Sequence, residues 1–253
     1  MKRSIHILCI WLVSLLPLTS VAQKVDIINR SGYRHNYVVT SFDYVERLAD
    51  TSRLRYIATL NIHIDDYPYV ITNLINRFKT EAKELGANTY CLDSYSEKDS
   101  SVTISVRTYF ATEKFLEENK NYRDKNKVYV FSGERKAGFK QIFYLNDSLI
   151  LLPSTHYYSY TPTGDENLRV AVSKPKPASA GLTTNKRCKF RSGRDSRFVI
   201  VGRRIPNSEG AIVGIAFGPV GHAIYKKAQE AKYADLDYSI ARLLLDVCPA
   251  FTK

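Results

Sequence analysis

The spacing of apolar residues changes character along this chain. Ile7 to Leu18 form a short, nearly unbroken apolar run. From Arg55 the pattern turns periodic. "RYIATLNIHI" alternates as a half-buried strand does, but Ile57 and the pair Ile62 and Ile64 fall on opposite parity, which predicts a bulge or a strand buried on both faces. "DDYP" then sets Pro68 at a helix start, and Ile71, Leu74, Ile75, Phe78, Ala82 and Leu85 recur at helical spacing. Gly86 predicts the end of that helix, because a C-terminal cap often needs a positive φ that glycine adopts without a Cβ clash. Thr89 to Tyr95 and "SVTISVRTYFA" predict two strands around the turn "SEKDSS", with Val102, Ile104 and Val106 on one face. The unit is β-α-β-β.

Glu113 to Lys127, "EKFLEENKNYRDKNK", is charged and poor in apolar residues, and is expected to be a linker or an exposed helix. Beyond it "VYVFSG", "KQIFYLND", "SLILLP", "HYYSYT" and "NLRVAVS" are short β-prone runs, with Asn146-Asp147 as a tight hairpin turn. Short strands at such spacing predict an antiparallel sandwich. "KPKPASAGLTT" is a Pro/Ser/Gly connection, and "CKFRSGRDSRFVIVGRRIP" returns to strands. The last segment, "YKKAQEAKYADLDYSIARLLLDV", reads as a helix capped by Asp235, with Leu236, Ile240, Leu243, Leu244 and Val247 as its stripe. The expected class is α+β: a β-α-β-β module, then a sandwich-like domain with a C-terminal helix. The expected division is 1–22 leader, 23–112 module with an unassigned N-terminal segment, 113–127 linker and 128–253 sandwich-like domain.

"EAKELGANTYCLDSY" resembles the helix–GAN–strand segment of small bacterial envelope modules, the Rcs stress-sensing outer-membrane lipoprotein and the YbjQ-like domain. The resemblance covers residues 55–111 and implies an envelope setting and a fold. The Rcs protein's paired disulfides have no counterpart, since Cys91 is the one cysteine in this stretch. The second half is similar to compact β domains of bacterial envelope proteins.

The start of the chain points the same way. Lys2 and Arg3 precede the apolar run, and Ser20-Val21-Ala22 offers small residues for signal-peptide cleavage before Gln23. The run is shorter than the roughly 20 residues a spanning helix needs. Export to the periplasm, with outer-membrane association as an option, is therefore expected. Cys91, Cys188 and Cys248 would remain, an odd number in an oxidising compartment. Cys188 with Cys248 is the favoured disulfide, and Cys91 reads as a core thiol.

Charge narrows the partners. The chain carries 37 Lys and Arg against 25 Asp and Glu, a formal +12. Such an excess favours anionic surroundings, and in an exported protein nucleic acid is not the expected one. Basic residues are densest from Lys186 to Arg204, where Lys189, Arg191, Arg194, Arg197, Arg203 and Arg204 are the candidate anion-binding set. If "CKFRSGRDSRF" is a hairpin, several arginines converge on one edge and can hold phosphate bidentately. The competing reading is a solvated strand edge protected by charge.

"EGAIVGIAFGPVGHAIYKK" spaces Gly210, Gly214 and Gly218 by four. Neither a dinucleotide loop nor a P-loop pattern is present. The glycines read as close-packing positions, in a core or as a ridge against a membrane or partner helix. His63 and Asp65 share a strand face, which alone is a weak metal pair. Tyr157, Tyr158 and Tyr160 could stack on sugar or on cross-strand neighbours. No metal, cofactor or catalytic residue is expected. The expectation is a non-enzymatic envelope protein that meets an anionic component or an envelope protein. The contrasting one is a secreted hydrolase with its site between the two domains.

Overall fold

The computed structural model describes residues 24–33, 39, 41–64, 71–98, 101–133, 138–164, 167–172, 185–189, 194–202 and 232–252. The first sheet orders its strands β1-β3-β5-β4-β2. They are β1 (Lys24–Arg30), β2 (Asp43–Tyr44), β3 (Arg55–Ile64), β4 (Thr89–Lys98) and β5 (Ser101–Phe110). Helix α1 (Ile71–Glu84) joins β3 to β4, so the β-α-β-β order expected from the sequence is present. A bulge between Tyr56 and Ala58 accounts for the parity change in β3: Ala58, Leu60 and Ile62 continue one face, and Ile57 is also fully buried. Helix α1 buries Ile75, Phe78 and Ala82. At its end Gly86 takes φ +90°, and the Ala87 amide donates to the Ala82 carbonyl at 2.9 Å, closing a Schellman-type cap.

Two further sheets follow. The middle sheet runs β13-β12-β6-β9-β14, with β6 (Val128–Ser132), β9 (Tyr157–Tyr160), β12 (Arg197–Gly202), β13 (Lys232–Asp235) and β14 (Ala250–Phe251). The outer sheet runs β11-β10-β7-β8, with β7 (Lys140–Leu145), β8 (Ser148–Pro153), β10 (Asn167–Ala171) and β11 (Asn185–Lys189). The outer sheet is antiparallel throughout. The middle sheet is mixed, because β12 runs parallel to β6 and β14 parallel to β9. Asn146 and Asp147 take φ +46° and +69°, as a two-residue hairpin turn between β7 and β8 requires.

The apolar runs of the middle sheet explain the layering. "VYVF" and "FVIVG" are buried residue after residue, so both faces of this sheet are covered. Val128, Val130, Val199 and Val201 pack with Phe143, Leu145, Ile150, Leu152, Leu168 and Val170 of the outer sheet. Tyr129, Phe131, Phe198 and Ile200 join the other core, shared with the first sheet and with α1. That core also takes in helix α3 (Tyr238–Val247). Helix α3 touches both sides: the Tyr90 hydroxyl on β4 donates to the Ser239 carbonyl at 2.8 Å, and the Tyr238 ring lies 5.3 Å from Phe198 on β12. The C-terminal helix thus fastens the first sheet to the sandwich.

Three sequence expectations change here. The expected antiparallel sandwich holds for the outer sheet only, since the middle sheet contains the parallel pairs β12–β6 and β14–β9. Lys232–Asp235 is strand β13, not helix, and the cap of α3 is Asp237, whose carboxylate accepts from the amides of Ser239 and Ile240 at 3.1 and 3.4 Å. Glu113–Lys127 contains helix α2 (Glu113–Lys120), which buries Phe115, Leu116 and Asn119 against Val45 and Ala111. Asn119 accepts from the Glu46 amide at 2.9 Å and donates to the Tyr44 carbonyl at 2.8 Å.

Candidate functional site

Among the described residues, two places have chemistry beyond ordinary packing. The first is a buried charge network around α3. Glu46 follows β2, and its carboxylate accepts from Arg242 Nε at 2.9 Å and from the Tyr238 hydroxyl at 2.6 Å. Asp246 accepts from Arg242 Nη1 at 3.1 Å, from Arg47 and from the Tyr44 hydroxyl. Burial works against the Arg242 charge, but Glu46 and Asp246 outweigh it and hold its pKa above the ordinary arginine value. Burial, then the bond to Asp246, raises the Tyr44 pKa; burial, then the bond to Glu46, raises that of Tyr238. Arg123 extends the set, 4.2 Å over the Tyr238 ring and 3.2 Å from Asp43. Glu46 meets a cation and a hydroxyl, and Asp246 meets two cations and a hydroxyl. Such an arrangement fastens α3 and keeps its protons; its buried hydroxyls are made harder to ionise, the opposite of what a general base or nucleophile needs.

The second place is the solvent-facing side of the outer sheet. Gln141, Phe143, Leu145, Ile150 and Leu152 point inward and are buried. Their alternates face out: Lys140, Ile142 and Tyr144 on β7, Leu149 and Leu151 on β8. Register sets Ile142 opposite Leu151 and Tyr144 opposite Leu149, so these residues are neighbours, not scattered singles. Ile142, Leu149 and Leu151 are 46%, 47% and 43% exposed. At the opposite edge of the same sheet, register places position 187 opposite Arg169 and position 189 opposite Asn167. The sequence did not mark this face, because "SLILLP" and "KQIFYL" predict strands without saying which alternate set is covered.

The basic segment is distributed differently from the expected hairpin. Lys189 lies on β11 in the outer sheet, and Arg197 opens β12 in the middle sheet, so the stretch between them crosses from one sheet to the other. Arg194 and Arg197 are exposed. Arg191, Arg203 and Arg204 lie outside the described residues, as do Gly210, Gly214 and Gly218 and the leader. Among the described residues, close backbone approach occurs at Gly133 and Gly202, where a Cβ on Gly202 would stand 3.3 Å from Gly133 Cα. Cys248 caps α3, Cys188 lies on β11 opposite Leu168, and the Cys188 side chain is outside the described set.

The remaining candidates fall into structural roles. His63 Nδ1 sits 3.1 Å from Thr103 Oγ1, and Nε2 sits 3.8 Å from Asp26; Asp65 is outside the described residues. Among the described residues no group of three His, Cys, Asp or Glu side chains is gathered for a metal. Tyr157 packs against Tyr129 and Phe131 on one face of the middle sheet, while Tyr158 packs against Phe143 on the other. They do not form one stacking platform. Cys91 is half-buried with its Sγ 4.0 Å from the Tyr109 hydroxyl, and burial pushes its thiol pKa up, away from the thiolate a nucleophile needs. Among the described residues no helix is long and apolar enough to cross a membrane. No protein-family model, curated protein or solved structure matches the chain.

Proposed function

We propose that this is a non-enzymatic, exported envelope protein that holds to an anionic surface by electrostatic attraction. One observation carries the reading. Lys186 to Arg204 contains eight basic residues and one acid, Asp195, in a chain already at +12. Asp195 is engaged from outside the segment, 3.8 Å from Arg123, so it offsets little of that charge. The exposed Arg194 and Arg197 belong to this segment. Removal of residues 1–22 would take only Lys2 and Arg3, leaving 35 basic against 25 acidic residues and a formal +10. The resemblance of residues 55–111 to envelope modules supports the same setting.

The test is retention of the purified chain on soluble dextran sulfate and on vesicles containing phosphatidylglycerol, over a salt series. Binding at low ionic strength, with release as salt shortens the Debye length from about 30 Å toward about 3 Å, is the expected result. Absence of retention on both anions at low salt would overturn the proposal.

A further inference from the structure

We infer that the exposed face of the outer sheet is a docking surface for an anionic lipid bilayer, with Ile142, Leu149 and Leu151 entering the headgroup–acyl boundary. The inference rests on the anionic-surface reading above and names its face and its ligand. Three observations carry it. The aliphatic residues are contiguous through the register pairs Ile142 with Leu151 and Tyr144 with Leu149, and each aliphatic residue is nearly half exposed. Contiguous apolar exposure marks contact sites, whereas scattered apolar residues do not.

Among the described residues, the face that β3 and β5 form in the first sheet is built differently. Its strands carry Thr59, Asn61 and His63 opposite Arg107, Ser105 and Thr103, a polar surface. Ile27 and Ile28 on β1 are also exposed, but they follow each other at a register shift in one strand, whereas Ile142, Leu149 and Leu151 are set together across two paired strands. Finally, the face is graded. Apolar positions occupy β7 and β8; Lys140 closes one end of β7, and positions 187 and 189 on β11 are an arginine and a lysine. Arg169 between them is paired with Asp147.

A peripheral membrane contact uses an apolar area of limited depth together with basic positions at its margin, here Lys140 at the end of β7 and positions 187 and 189 on the opposite edge strand β11. Tyr144, half-buried and opposite Leu149, has the amphipathic ring suited to headgroup level. Charge selects the occupant. A second copy would bring another strongly basic chain, +10 without residues 1–22, to the same face, whereas an anionic bilayer is complementary to it.

The experiment is co-sedimentation of the full chain with phosphatidylcholine vesicles and with vesicles containing 30% phosphatidylglycerol. The variants are Leu149→Ser/Leu151→Ser, Arg187→Gln/Lys189→Gln and Arg194→Gln/Arg197→Gln, each checked for its melting temperature. Because Leu149 and Leu151 are already exposed, the serine pair should fold. The expected result is binding to the anionic vesicles only, weakened about tenfold by the serine pair and about tenfold by the Arg187/Lys189 pair. Anionic-vesicle binding that the serine pair leaves unchanged, but that Arg194/Arg197 neutralisation removes, would overturn this face while sparing the electrostatic reading. Binding to dextran sulfate but to no vesicle would overturn the lipid assignment. Absence of both would overturn the two together. A dimer by sedimentation equilibrium that the serine pair dissociates would assign the face to a second copy and overturn the inference.

Discussion

Replacing Arg242 by methionine tests the buried network at its centre. Methionine keeps most of the aliphatic stem and removes the guanidinium. In the native protein that group meets Glu46 at 2.9 Å and Asp246 at 3.1 Å, and the two carboxylate side chains are only 4% and 6% exposed. Taking one partner from a buried ion pair costs about 3–5 kcal/mol, because the remaining charge stays desolvated. Here the loss is softened. Tyr238 still donates to Glu46, and Tyr44 and Arg47 still serve Asp246. The expected cost is therefore near the lower end, about 3 kcal/mol. At about 2–4 °C per kcal/mol for a chain of this size, melting should fall by about 6–12 °C. Thermal circular dichroism measures it, with a urea midpoint as the second readout. Adding Glu46→Gln removes one orphaned charge, so the double variant should recover about 1 kcal/mol or more relative to additivity. If Arg242→Met melts within a degree of wild type, or the two changes simply add, the network does not fasten α3.

Asp237→Ala should cost about 1 kcal/mol at neutral pH, since it removes the cap of α3. Burial opposes the Asp237 charge, but bonds from Ser239 and from Lys79 Nζ, at 2.9 Å, outweigh it and hold the carboxyl below its ordinary value. A depressed folded pKa adds stability above the unfolded value, about 4, and that stability fades as pH falls through the folded value. The gap between wild type and variant should thus close in acid; a gap that widens below pH 4 would contradict this sign. Gly133→Val should lower the unfolding free energy, read from the urea midpoint, by about 1–3 kcal/mol, because its Cβ would stand 3.1 Å from Ile200 Cγ1 and 3.2 Å from the Val201 carbonyl oxygen. An unchanged midpoint would show that β6 and β12 can move apart freely.

The local pattern revealed local structure well. The Ile75, Phe78, Ala82 and Leu85 part of the α1 stripe, its Gly86 stop, the Asn146-Asp147 hairpin and the Val102-Ile104-Val106 face depend on neighbours a few residues apart, and they are where the periodicity puts them. The bulge in β3 was also readable as a parity change. What depends on distant partners was not. Glu46 and Arg242 are 196 residues apart, and each alone looks like a solvated charge. "EKFLEENK" looks like an exposed helix, because two buried apolar residues and one buried asparagine leave little periodic signal. Asp235 and Asp237 are equally good caps by type, and pairing of β13 with β12 decides between them. The same limit applies to the candidate surface. Alternation in β7 and β8 defines two faces, but only the middle sheet, covering one of them, makes the other an exposed aliphatic surface.

The most direct test of the central claim is fractionation of cells expressing the chain, washing envelopes first with high salt and then with carbonate, with N-terminal sequencing of the recovered protein. The account predicts an envelope-bound protein beginning at Gln23 that high salt releases in large part. Recovery as soluble protein before any wash, or a chain that still carries residues 1–22, would contradict it.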